Sequence, residues 1–349
     1  MKRVALPLLA LLLCLRASQA TSASAPLAPN LKIIGVEEAW AHGITGQGIV
    51  VALLDSGVDM AHPELAARWR GGSNSWFDPY GEHPEGPVDF NGHGTQMLGV
   101  ILGGDESGES IGIAPDAQWI AARVFDDRGR ATTEAIHQAL KWVLDPDGDP
   151  ATDDTPHVLN NSWSAIGTLC NPEFDGDLRA LRAAGILPVF AAGAGGPVSP
   201  ADSPEAFAVG ALAVDGESVY FDSAFGPSIC GGQEAIYPQV SAPGEAILTT
   251  DLFGLYSTLD GTSLAAAHAS GALALMLSAR PSLTADEQET VLQETAVDLG
   301  QPGPDNEFGY GRINIAAAVD SASAPDPTLL MIVVLAAMLI GVAAWQQRK

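Results

Sequence analysis

IVVALLDSGVD, residues 49–59, opens on six apolar residues in a row and closes on Asp55 and a Ser-Gly turn. An apolar run without alternation reads as a strand buried on both faces, the habit of parallel sheets. Asp55 then stands at the strand's carboxyl end, the edge where such sheets gather their chemistry. Working outward, QWIAARVF (118–125), HVLNNSW (157–163), GILPVFAAG (185–193) and FAVGAL (207–212) read the same way. Helical stretches separate them: GTQMLGVILGG (94–104), TTEAIHQALKWVL (132–144), FDGDLRALRAAG (174–185) and TSLAAAHASGALALMLSA (262–279). Strand and helix in turn imply βαβ units, an α/β fold whose parallel sheet carries helices on both faces.

The chain has 349 residues, 42 acidic and 16 basic, for a formal net charge of −26. Such a surface repels nucleic acid and anionic lipid and suits cationic peptides or calcium; the acid also keeps an exported protein soluble. A monomer is expected. Residues 1–20 have a basic start, a short apolar stretch and small residues at 18 and 20, and read as a secretory signal peptide. Residues 21–30 read as a short linker, 31–320 as one domain and 321–327 (SASAPDP) as a second linker. Residues 328–345 form an apolar segment followed by a basic tail, 346–349. They are expected to be a single membrane-crossing helix with the domain outside and the tail in the cytoplasm, or a removable sorting signal. Cys14 falls in the leader, which leaves Cys170 and Cys230 as a disulfide pair in an exported chain, or as two free thiols.

Three settings carry candidate chemistry. Asp55 ends a buried strand. His93 sits in NGHGTQMLG, between glycines and at the start of a helix. Ser263 sits in DGTSLAAAH, opening an Ala-rich helix whose N–H groups and dipole favour negative charge. Taken singly these are ordinary turn, capping and N-cap residues. Together they are a carboxylate, an imidazole and a hydroxyl, the parts needed for acyl transfer by serine.

The patterns DSG, NGHGT and GTS, in the order Asp, His, Ser and separated by 38 and then 170 residues, resemble the subtilisin-like serine proteases. The resemblance runs from about residue 33 to about 319, and NNSW followed by RAAGILPVF is especially similar to bacillopeptidase F-type members. It implies a three-layer fold with a seven-stranded parallel sheet, and a peptide or protein substrate with no cofactor required for the chemistry. Asp55, His93 and Ser263 become the catalytic residues. Asn160, Ser162, Trp163, Ser164, Ala191, Ala192 and Gly193 become substrate-binding residues, and the Ser263 backbone N–H an oxyanion donor.

One departure bears on rate. Ala194 stands in FAAGAGG where the family has an asparagine that donates to the oxyanion, and alanine has no such donor. A slow enzyme is expected, with Ser199 in the following loop the nearest substitute; the alternative is an impaired relative that binds peptides or partner proteins. Gln96, Leu264 and Ala267 replace residues common in the family without removing a catalytic group. DPDGDPATDD (145–154) reads as a solvated acidic turn or a structural calcium loop through Asp145, Asp147 and Asp149.

Overall fold

The computed structural model describes residues 25–165 and 169–324. In chain order the elements are α1 (Pro29–Ile33), α2 (Val36–Ala41), β1 (Val50–Asp55), α3 (Pro63–Ala66), β2 (Trp76–Phe77), α4 (His93–Leu102), β3 (Gln118–Arg123), α5 (Thr133–Leu144) and β4 (Val158–Asn161). There follow α6 (Asp175–Ala183), β5 (Pro188–Ala191), β6 (Phe207–Leu212), β7 (Val240–Pro243), β8 (Ile247–Thr250), β9 (Tyr256–Leu259), α7 (Thr262–Ala279), α8 (Ala285–Glu294) and α9 (Ile315–Ser323). Seven strands form one sheet in the order β2-β3-β1-β4-β5-β6-β7, and every pair is parallel. The strands β8 and β9 make a separate antiparallel hairpin. This is the subtilisin-like three-layer arrangement.

The unbroken apolar run of β1 follows from its place inside the sheet. Val51 and Leu53 point into a core shared with α4, α7 and α9, and Ala52 and Leu54 into a second core shared with α5 and α6. With successive side chains on opposite faces and both faces covered, no position on the strand is left for a polar residue until Asp55.

The helix α7 crosses the back of the sheet. It is 18 residues long and apolar enough to span a membrane, but 83% of it is buried inside the protein, so packing accounts for its composition. Its small residues let strands and neighbouring helices approach closely. His268, one turn past Ser263, is fully buried and donates from Nδ1 to the Leu264 carbonyl at 2.7 Å. Its Nε2 accepts from Asn30 Nδ2 at 2.8 Å, and burial pushes its pKa down to about 4. The N-terminal segment is thereby tied to the central helix.

The described parts of both stretches that read as linkers, 25–30 and 321–324, belong to folded elements or bridges of the domain. Leu27 bridges Ser110, and Pro29 begins α1, so the Ala/Pro-rich stretch 25–30 is already part of the domain. Proline at the first helical position has no N–H to satisfy and starts the helix instead of breaking the chain. At the other end α9 runs to Ser323, with Ala318 and Ala322 buried. The leader and the apolar C-terminal segment lie outside the described residues.

Leu53 has no exposed surface and lies two residues before Asp55. Replacing it with alanine should lower the unfolding free energy by about 2–5 kcal/mol, as measured by urea titration.

Candidate active site

Asp55 leaves the end of β1 with a side chain only 1% exposed. A carboxylate withdrawn from water needs donors. It takes one from the Ser56 backbone N–H, at 2.7 Å to Oδ1. The other comes from His93, whose Nδ1 lies 2.8 Å from Oδ1 and 3.0 Å from Oδ2. With Nδ1 donating, the imidazole keeps Nε2 free to accept a proton. Burial works against protonation of His93, but the Asp55 charge and hydrogen bond, helped by the charge of Asp89, outweigh it and raise the pKa.

Two glycines make this approach possible. A Cβ on Gly94 would collide with the Gly57 carbonyl oxygen, and one on Gly57, where φ is +118°, with the Val88 carbonyl oxygen. The DSG and GHG sequences therefore bring the β1 turn and the start of α4 into backbone contact.

Ser263 reaches the same edge by another route. It is the second residue of α7, after Gly261. Its hydroxyl donates to the Ser162 carbonyl at 3.1 Å, and the Ser162 hydroxyl returns a bond to the Ser263 carbonyl at 3.0 Å. Because β4 pairs with β1, with Asn161 opposite Leu54, Ser162 follows its strand as Asp55 ends its own. In this structure the Ser263 hydroxyl points to Ser162, and its hydrogen bond goes there.

Asp55, His93, Ser162, Trp163 and Ser164 line a cavity of about 530 Å³, completed by Phe90, Phe125, Arg123 and the 126–129 loop. The other expected wall differs. Asn160 is wholly buried and holds the Ser162 hydroxyl at 3.0 Å while accepting from Ser270 of α7 at 2.9 Å, so it supports the edge without lining it. Ala191 and Ala192 are core residues, on opposite sheet faces. Gly193 touches the site indirectly, its N–H donating to Thr262 Oγ1 at 3.1 Å. Ala194 is exposed. Ser199 is buried and committed, donating to Asp202 at 2.6 Å and accepting from the Asn171 N–H at 2.9 Å, which rules it out as a substitute oxyanion donor.

Strand periodicity gave no sign of Arg123. At the end of β3, opposite Asp55, its guanidinium is 1% exposed. It pairs with Asp127, lies 3.3 Å from Glu82 and 3.7 Å from Asp78, and sits 5.9 Å from the centre of the Phe90 ring. A buried cation with three carboxylates ties the loops after β2 and β3 into one wall. The signal was a charged residue inside an otherwise apolar strand.

The match to known proteins follows this geometry. Residues 46–311 match the Subtilase family. The chain belongs to the subtilase family. That membership classes it as an enzyme of the serine protease class. It is 35% identical over 336 residues to bacillopeptidase F of Bacillus subtilis, a match covering 88% of this subtilase and 23% of the relative. The minor extracellular protease Epr of the same organism is 33% identical, with 84% of this chain and 42% of the relative covered. Subtilisin E is 32% identical over 288 residues, covering 79% and 67%. The subtilase thus spans about a quarter of the length of the first and under half of the second.

The acidic loop brings carboxylate oxygens of Asp145, Asp147 and Asp154 within 4.8 Å of one another. Asp149, expected in that set, instead accepts from the Ala151 N–H at 3.0 Å. Calcium takes six to eight oxygens. Asp154 Oδ2 accepts from Asn74 and both Asp147 oxygens from Thr152, and the three carboxylates could in principle coordinate a cation while supplying only part of a calcium shell. Cys170 and Cys230 are joined as a disulfide, with Cα atoms 5.0 Å apart, away from the cavity lining.

The imidazole of His93 should titrate above the ordinary histidine value, and Asp55→Asn should bring the midpoint down, because burial then acts with less opposing charge. NMR titration of the ring protons reads both midpoints.

Proposed function

We propose that this subtilase is a serine endopeptidase acting on extended peptides through Ser263, His93 and Asp55. The observation that supports it most is the bond from His93 Nδ1 to a nearly water-free Asp55, at the sheet edge where Ser263 opens α7. A rotation of the Ser263 side chain away from the Ser162 carbonyl would present its hydroxyl to His93 Nε2. His93 would take the proton as Ser263 attacks the scissile carbonyl and pass it to the leaving amine. Asp55 would hold the tautomer and stabilise the imidazolium. The Ser263 backbone N–H, at the positive end of α7, would face the developing oxyanion. Ser162, Trp163 and Ser164 would pair with the peptide as an added strand.

Ala194 makes the enzyme slow. Removal of the corresponding asparagine of subtilisin is the known measure, about 10²–10³ in turnover. The same exposed methyl, with the Ser263 hydroxyl bonded to a carbonyl, favours the second reading, an impaired relative that binds peptides without efficient cleavage. Export is proposed on the leader at 1–20, with anchoring by 328–345.

An organophosphorus serine probe separates the readings. It should label the parent and not Ser263→Ala; equal labelling of both, or none, defeats the protease. In the labelled enzyme Ala194→Asn should raise kcat on a peptide substrate by about 10²–10³ with little change in KM.

A further inference from the structure

Asp89 has no part in the steps above, yet it is the most heavily bonded acid near them. The residue is 8% exposed. Its Oδ1 accepts from Ser56 Oγ at 3.0 Å, from the Asn91 N–H at 3.0 Å and from the Gly92 N–H at 2.9 Å. Its Oδ2 accepts from the Thr95 N–H at 3.1 Å and from Thr95 Oγ1 at 2.7 Å. Among the described residues no cation pairs with it. Amide N–H groups and the first turn of α4 hold the charge instead.

These donors come from two segments. One is Ser56, next to Asp55. The other is the turn and first helical residues, 91–95, that carry His93. Ser56 Oγ also accepts from the Gly94 N–H at 3.0 Å, closing a ring between the strand end and the helix start. A neutral amide would not replace the carboxylate, since the nitrogen of an Asn would face the Thr95 N–H with a second donor.

We propose that Asp89 is a positioning residue for the reaction, locking the end of β1 and the start of α4 into one unit so that Asp55 and His93 stay in register. The proposal rests on the protease reading above. Its charge also bears on the imidazole. The other charged groups around it are Asp55 on β1, which bonds the ring, Asp251 after β8, which lies beside Gly92, and Arg123, Asp126, Asp127 and Arg128, which line the same cavity. Misplacement of a reacting group by a fraction of an ångström to 1 Å is enough to lose much of the rate.

The test compares Asp89→Asn with Thr95→Val, which removes one donor but no charge. His93 titration is read by NMR with Ser263→Ala added to each, and kcat and KM on a peptide substrate in the otherwise intact enzyme. Asp89→Asn should lower the His93 midpoint and reduce kcat about tenfold or more while KM stays close to the parent's. Thr95→Val should lose thermal stability and leave the midpoint in place. Should Asp89→Asn fail to fold, Ser56→Ala breaks the bridge alone and should also reduce kcat without moving KM. A probe-labelled parent whose Asp89→Asn variant keeps both midpoint and kcat, or whose Ser56→Ala variant keeps kcat, overturns the proposal. A parent that the probe does not label overturns the protease reading instead.

Discussion

Folding takes the Asp55 carboxylate almost entirely out of water, and the need to compensate that charge shapes what surrounds it. An ionised group in such a place is tolerated only with hydrogen bonds and an opposite or polarisable neighbour. Here a backbone N–H and an imidazole N–H supply them. The imidazole donor requires the start of α4 to press against the β1 turn, which glycine at 94 allows, while glycine at 57 lets the turn itself pass close to the Val88 carbonyl. The short DSG and GHG sequences are therefore the outward sign of a packing demand set by one buried acid.

The opposite side of the site rests on a different device. Ser162 and Ser263 exchange hydrogen bonds, Asn160 holds Ser162, and Ser270 holds Asn160. This polar chain runs from the end of β4 into the middle of α7 and fixes the helix start at the sheet edge. The sheet edge thus presents an acid from one strand, paired with an imidazole from the start of α4, and a second helix terminus stapled to the neighbouring strand. Their adjacency comes from the pairing of β1 with β4.

Much of this was legible in advance. The apolar runs around 49–55 and 207–212 and the long helix 262–279 were clear because a strand or helix buried on all sides leaves no room for polar residues. The three chemical settings stood out through their glycines. What escaped was mostly long-range. Asn160 reads as a cleft residue because its strand ends near the cleft, but its side chain is buried and bonded to Ser162 and to Ser270 of α7. Arg123 and Asp89 act through partners distributed over separate loops, which no local pattern records. Asp154, held by Asn74, stands beside Asp145 and Asp147 in place of Asp149, which is taken up by the Ala151 N–H. The Ala/Pro stretch before residue 31 read as a linker on composition alone, while burial of Leu31 and the Pro29 start of α1 make it part of the core.

The bond between Asn30 and His268 spans 238 positions of sequence. On the ribosome the first residues of the domain emerge long before the helix that receives them, so this contact forms only after nearly the whole domain has been synthesised. The neighbouring strands β1, β3 and β4 pair over much shorter separations and are able to associate earlier. The N-terminal segment is thus joined to the core by chain synthesised much later, through His268 of α7 and again through the bond from the Ile315 N–H to the Ile34 carbonyl at 2.8 Å.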